Sequence, residues 1–156
     1  MTINRELLAT WWNDAWSEGL WAAAWSKSIN DLNPAQAAWQ PRDANGKMRH
    51  SIWQHVSHMI FWREDALRRL TDPTKPSEEA LARLNFPANP DATSPGASHA
   101  WDDTRARFKA SQDAIAAKLA EPSTDITRLQ YMLPHDCYHF GQINLLRALQ
   151  GLVPIE

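Results

Sequence analysis

The sequence predicts an all-α fold, a four-helix bundle with a long crossover connection, formed as a single domain by residues 1–156. Three observations lead to this prediction. Apolar residues recur every three or four positions through four long segments, as they do in helices that bury one face. No segment shows the alternating pattern of a half-buried strand. Proline-rich loops separate the segments and are long enough for at least one crossover between helices.

The first predicted helix spans about residues 4–29, where leucine, alanine and tryptophan repeat at helical spacing. Five of the nine tryptophans of the chain fall within its first 25 residues. They are Trp11, Trp12, Trp16, Trp21 and Trp25. One helix face cannot bury all of them, so we expect the surplus to form a subunit contact or the wall of an apolar pocket. The protein is therefore predicted to be a homodimer.

The second long helix is predicted over residues 51–70, with Ser51 as its N-cap. The connection before it is rich in proline, asparagine and aspartate, and we expect it to hold one short helical turn at about 35–39. After the second helix the sequence predicts a short helix at 77–84. An irregular loop follows, because prolines and turn-forming residues dominate the next stretch.

The third and fourth long helices complete the predicted bundle. The third is predicted over residues 98–120, with Ser98 as its cap. The fourth is predicted over about 123–151, starting at Ser123 or the following threonine and ending at a C-terminal glycine. Pro134 lies inside this helix and removes one backbone hydrogen bond, which predicts a kink or an irregular turn just before His135.

Composition excludes several classes of function. Sixteen basic and eighteen acidic residues give a net charge of −2 without a long basic block, so the sequence does not predict nucleic-acid binding. No stretch approaches eighteen consecutive apolar residues, so it predicts no membrane span. The lone cysteine, Cys137, cannot form an internal disulfide, and the first residues lack the pattern of a signal peptide. We therefore expect a cytoplasmic protein.

Histidines cluster in two of the predicted helices. His135 and His139 are four residues apart in the last helix, a spacing that lets two imidazoles on one helix face bind the same metal ion. His55 and His58 lie on the second helix and could meet them in the bundle core. A single buried histidine is more often a hydrogen-bonded core residue than a ligand, but paired spacing on two helices favours a metal site. Neutral imidazoles suit zinc, nickel, copper, cobalt or iron better than magnesium or calcium.

Two motifs carry a resemblance to a known family. "SIWQHVSHMIFW" in the second helix and "HDCYHFGQI" in the last one resemble the DinB/YfiT-like superfamily of metal-dependent four-helix bundles. In that family the second helix supplies one histidine and the last helix supplies a His-x-x-x-His pair ahead of Gly-Gln-Ile. The resemblance implies that His58, His135 and His139 bind one divalent transition metal, with zinc or nickel favoured. His55 is outside the pattern, and its role as a hydrogen-bonding partner of a ligand, a core residue or an alternative ligand is open.

The resemblance also implies a reaction class. Family members look like S-transferases that use low-molecular-weight bacterial thiols, together with a metal-dependent isomerase of related fold. The leading hypothesis is therefore a thiol transferase that acts on a small electrophile through a metal-bound thiolate. A second hypothesis is a hydrolase, in which the metal activates water and a carboxylate such as Glu64 or Asp65 moves the proton. A third is a metal-binding or stress-related protein without catalysis.

For four residues near the histidine pair, the sequence supports only weaker predictions. Asp136 and Tyr138 flank the pair but point off its face, which predicts surface positions or hydrogen bonds to the ligands. Gln142 continues the face of the pair and could bond a ligand or serve helix packing. Cys137 is expected to face away from the metal as a small buried residue.

Overall fold

The computed structural model describes residues 4–153 and is all-α over that range. Seven α-helices and one 3-10 turn, Leu129–Tyr131, are formed. The helices are α1 (Arg5–Ser17), α2 (Trp25–Asn30), α3 (Pro34–Ala38), α4 (Ile52–Arg68), α5 (Glu78–Leu84), α6 (Ala97–Ala120) and α7 (Met132–Leu149). No strand occurs in the described residues, where a single isolated bridge joins Arg42 to Met48. The predicted fold class is confirmed.

The long helices form a bundle around one aromatic core. α4 packs against both α6 and α7, α1 packs against α6, and α2 contacts α1 and α7. Trp12, Trp101, Phe108 and Phe140 are among the largest fully buried side chains. The indole N–H groups of Trp12 and Trp101 both find partners, since Trp12 donates to the backbone carbonyl of Gln112 at 3.0 Å and Trp101 donates to a backbone carbonyl at 2.9 Å. Because α4 and α7 pack directly together, their facing side chains meet.

The predicted first helix is wrong in its length. α1 ends at Ser17, and the chain turns before α2 begins at Trp25. Gly19 explains the break, because its φ of +87° is strained for other residues and a Cβ there would lie 2.3 Å from a backbone oxygen. The Ser26 hydroxyl then donates to the Trp16 carbonyl at 2.8 Å and holds α2 beside the end of α1. The helical spacing of apolar residues continues across the turn, so periodicity alone could not reveal it.

The predicted start of the last helix is also wrong. α7 begins at Met132, and residues 121–128 form a loop followed by the 3-10 turn. The guanidinium of Arg5, more than a hundred residues earlier, donates to the carbonyls of Leu119, Glu121 and Thr124, so these groups are satisfied without a continuous helix. Pro134 is the third residue of α7, where a missing N–H leaves no hydrogen bond unmade, and the irregular turn lies directly before the helix.

The bounds of α4 were predicted closely. Ser51 caps α4 and forms a capping box with Gln54, and α3 and α5 occupy the two short helices expected from the sequence. The cap of α6 differs, because Gly96 precedes the helix and Ser98 lies within its first turn. Among residues 4–153 no helix combines the length and apolar character needed to cross a bilayer.

Candidate metal centre

The structure brings the three predicted ligands together at the contact between α4 and α7. His58 lies on α4, and His135 and His139 lie one turn apart on α7. Each offers one nitrogen, and these three atoms lie within 4.8 Å of one another. The Nε2 atoms of His58 and His135 are 3.2 Å apart. The cluster therefore has the size and the donor atoms of a metal site.

Hydrogen bonds on the far side of two rings determine where their protons lie. His58 Nδ1 is 2.7 Å from the Asn85 carbonyl oxygen, and His135 Nδ1 is 2.8 Å from Asp136 Oδ1. A carbonyl and a carboxylate oxygen can only accept, so both rings carry a proton on Nδ1. In the neutral rings the lone pairs of the two Nε2 atoms then face each other, and they repel unless a cation lies between them.

This geometry fits a bound transition metal. Two nitrogens bound to one tetrahedral zinc ion at ~2.0–2.1 Å are about 3.3 Å apart, close to the separation of the two Nε2 atoms. A carbonyl or carboxylate on the other ring nitrogen is the usual support of a histidine ligand, because it orients the ring and holds the tautomer. The residues present therefore suit a divalent transition metal, and they would bind it with unprotonated imidazole nitrogens.

Gln142 and His55 lie against His139, the third predicted ligand. His139 Nδ1 is 2.8 Å from Gln142 Oε1 and 3.2 Å from His55 Nδ1. The contact with Gln142 is one of the two roles expected from its helical spacing. His55 is buried behind His139 and does not join the converging group of three. Of the three roles left open for His55, the geometry favours that of a partner to a ligand.

Asp136 and Arg63 form a buried ion pair beside the centre. Both side chains are fully buried, and Arg63 Nε donates to Asp136 Oδ2 at 2.6 Å. The guanidinium also lies 3.9 Å from the centre of the Phe108 ring. Asp136 thus bonds His135, a predicted ligand, as one of its two expected roles requires, and it is not on the surface. Sequence reasoning missed Arg63, although a charged residue four positions after Met59 on the apolar stripe of α4 was a signal.

The loop after α5 covers the centre with an aromatic ring. Phe86 stacks on His58 with ring centres 4.1 Å apart, and on its other side stacks on His50 at 3.8 Å. Its neighbour Asn85 bonds both His58 and the Trp62 indole, the latter at 2.9 Å. The connection between α4 and α6 therefore builds one wall of the site.

The histidines and the bundle that presents them match one family. The model of the DinB superfamily matches residues 19–153. The chain belongs to the DinB superfamily. The match includes all three converging histidines, and it confirms the resemblance that the two motifs indicated. Comparisons with curated proteins and with solved structures give no match.

Three other candidate residues lie outside the histidine cluster of this DinB-superfamily bundle. Glu64 is paired with Arg107 on the surface, with an Nε to Oε1 distance of 2.6 Å. Asp65 is paired with Arg68, the next arginine on its own helix, at 2.5 Å. Cys137 faces away from the ligands as expected, but it is exposed and not buried. Both carboxylates are engaged with arginines, so neither is free to act as a base at the histidine cluster.

Burial lowers the pKa of three histidines in or beside the cluster, His55, His58 and His139. Burial, together with the charges of neighbouring histidines, lowers the pKa of His55 to about 3 and that of His58 to about 4, and at His58 the hydrogen bond to the Asn85 carbonyl opposes the shift. Burial also lowers the pKa of His139. At neutral pH these rings are therefore neutral, which is the form that binds a metal.

We expect the metal-free protein to lose stability as the pH falls from about 6.5 towards 4. In this window the unfolded chain protonates His55 and His58 near their ordinary pKa of about 6.5, whereas the folded chain does not. The unfolded state then binds more protons, so each histidine lowers the free energy of unfolding by up to about 1.4 kcal/mol per pH unit. Urea unfolding of chelated protein between pH 7.5 and 5 measures this slope.

His55→Gln should remove one titrating group and flatten that slope. A free energy of unfolding that is constant between pH 7 and 5 would contradict the prediction.

Proposed function

We propose that the protein binds one divalent transition metal, zinc or nickel, on His58, His135 and His139, and transfers a low-molecular-weight thiol to a small electrophilic substrate. The observation that carries the proposal is the convergence of three imidazoles without a fourth protein ligand in the described cluster. Three ligands leave a position for an exogenous group, as in catalytic sites, whereas structural zinc sites use four. When bound, the metal supplies the positive charge that keeps a thiol deprotonated at neutral pH.

The carboxylates around the site favour thiol transfer over hydrolysis. A hydrolase of this type needs a base within one water molecule of the metal. Glu64 and Asp65 are engaged with arginines elsewhere, and both oxygens of Asp136 are occupied by Arg63 and His135. A thiol that is deprotonated on binding does not need such a base. The donor set thus suits a reaction in which the nucleophile arrives with the cosubstrate.

Basic residues beside the histidines suit an anionic cosubstrate. Burial, and then the charges of Arg49 and Lys47, lowers the pKa of His50, which stacks on the other side of Phe86 from His58. Both basic side chains belong to the exposed turn before α4. Low-molecular-weight thiols that carry carboxylates would be attracted to this side of the site.

The test is an assay of metal-loaded protein with a panel of thiols and a chromogenic aryl halide. We expect conjugation above the uncatalysed rate, and its loss in His139→Ala. Lys47→Gln should raise KM for a carboxylate-bearing thiol several-fold and leave KM for uncharged 2-mercaptoethanol unchanged, because one nearby charge contributes about 1 kcal/mol. Arg83→Gln is the matched control, since this exposed arginine on α5 is outside the turn.

Two results would overturn the proposal. Hydrolysis of activated esters without any thiol conjugation would favour the metal-dependent hydrolase. Stoichiometric metal binding with neither reaction across the panel would favour a metal-binding protein without catalysis.

The surplus tryptophans belong to a different surface, which we propose as the contact of a homodimer. Leu7, Trp11 and Trp21 line an apolar groove of about 980 Å³ together with Leu133 and Cys137 of α7. These two α7 positions lie about half a turn from the histidine pair, so the groove is on the opposite side of the helix from the metal centre. Trp21 is fully exposed beside the groove. A two-fold axis would let each copy insert this ring into the groove of the other.

Light scattering should therefore give about twice the chain mass of 17.8 kDa at micromolar concentration. Trp21→Ser should shift the protein towards the monomer, because aromatic anchors dominate the binding energy of such contacts. Trp39→Ser is the control, since this partly exposed tryptophan is outside the groove. A mass near that of one chain for the unmodified protein would count against the dimer.

A further inference from the structure

Asp136 is held from two sides in the protein interior. Its Oδ1 accepts from His135 Nδ1 at 2.8 Å, and its Oδ2 accepts from Arg63 Nε at 2.6 Å. No part of the carboxylate reaches solvent. Each oxygen therefore has one defined donor, and the two donors lie on different helices, α7 and α4.

Arg63 is itself fixed by elements that do not contain the histidines. Its Nη1 donates to the Ser111 hydroxyl at 3.2 Å, and its guanidinium lies against the rings of Phe108 and Trp12. These residues belong to α6 and α1. An arginine has only donors, so the group that faces its Nε must be an acceptor. The orientation of the Asp136 side chain is thus imposed by the bundle core.

We propose that Arg63 is a positioning residue of the metal site, which acts through Asp136 to keep the proton of His135 on Nδ1 and the lone pair on Nε2. The Nε2 atom is the one that lies 3.2 Å from Nε2 of His58. The role of this tautomer in metal binding rests on the proposed function. The tautomer itself rests only on the hydrogen bond between His135 Nδ1 and Asp136.

An isosteric substitution separates this role from simple packing. In Asp136→Asn the side chain has one acceptor and one donor end. Arg63 can only donate, so it should take the amide oxygen, which turns the NH₂ group towards His135 Nδ1. His135 Nδ1 must then accept, and its proton moves to Nε2, where it blocks metal coordination. The same substitution without Arg63 leaves the amide free to turn and offer its oxygen to His135.

The experiment reads the tautomer directly in the metal-free protein by ¹⁵N NMR of the imidazole rings. We expect the Nδ1–H form of His135 in the unmodified protein and the Nε2–H form in Asp136→Asn. Competition with a chromogenic chelator should show a fall in Zn²⁺ affinity of ~10- to 100-fold in Asp136→Asn, the usual effect of losing the support of a histidine ligand. Adding Arg63→Met to this variant should restore the Nδ1–H form and recover at least half of the lost affinity on a logarithmic scale.

A matched control comes from a second pair that also includes a buried arginine. Asp31 bonds Arg147 of α7 at 2.7 Å and touches no histidine of the centre. Asp31→Asn should leave both the tautomer of His135 and the Zn²⁺ affinity unchanged. Asp136→Asn protein that keeps the Nδ1–H tautomer would overturn the proposal, as would a folded double variant that stays in the Nε2–H form.

If the double variant does not fold, the proposal is tested by comparing the His135 tautomer of Asp136→Asn with that of the unmodified protein. The proposed function fails separately, since an unmodified protein that binds no Zn²⁺ would refute the metal site while leaving the tautomer result intact.

Discussion

Alanine at His58, His135 or His139 will lower the affinity for Zn²⁺ by more than a hundredfold in each case. Each substitution leaves two imidazoles, and two donors are too few to hold a divalent ion against water and buffer. The loss should exceed the ~10- to 100-fold effect of changing a residue that only supports a ligand. Chelator competition at pH 7.5 gives the affinity, and elemental analysis of the purified protein gives the metal content.

Two variants serve as controls for this result. The loss of Zn²⁺ affinity in His55→Ala should stay within ~10- to 100-fold, because His55 contacts His139 without joining the converging group. His99→Ala should have no effect, since His99 is exposed and pairs with Asp103 on α6. A His139→Ala protein with full metal content would refute the assignment of ligands.

Arg63→Ala is expected to lower the free energy of unfolding by about 3–5 kcal/mol, because it leaves the fully buried Asp136 without its partner. It also removes the side chain that fills the space between Trp12 and Phe108. Urea unfolding at pH 7.5 in the presence of a chelator measures this change without a contribution from metal binding. Removing Arg63 and the charge of Asp136 together should cost less than removing Arg63 alone, since no buried charge is then left unpaired.

Arg107→Ala is the matched control for this prediction. Arg107 is bound to Glu64 as closely as Arg63 is to Asp136, but both side chains of this pair lie on the surface. Solvent screens such a pair, so the expected loss is only about 0–1 kcal/mol. Equal losses in the two variants would mean that burial of the Arg63 pair does not determine its contribution.

Local patterns were sufficient to predict several elements of the fold. α4 was predicted almost to the residue, because its N-cap and its apolar stripe lie within one short segment. The pairing of His135 with His139 also follows from helical spacing alone. The choice of His58 over His55 does not follow from helical spacing, and it depended on the family resemblance. In the structure His58 converges with both histidines of α7, whereas His55 contacts only His139.

The errors occurred where distant residues decide the local structure. A hydrophobic stripe predicted one helix over 4–29, but the turn at Gly19 divides it so that α2 can pack on α7. The start of α7 was misplaced because Arg5 satisfies carbonyls of residues 119–124, a contact across more than a hundred positions. Backbone groups need a partner, and the sequence does not show which remote side chain will provide it.

The amino-acid sequence by itself determined the helical class, the amphipathic faces and the spacing that places two imidazoles on one side of α7. These are properties of residues within one or two helical turns of each other, where backbone geometry alone sets the distances. Only the tertiary structure decided that His58 comes within reach of both, and that Arg63 and Asp136 form a buried pair bonded to His135. Those contacts join helices far apart in the chain, and they form because a buried charge or a buried ring nitrogen is stable only where packing supplies its partner.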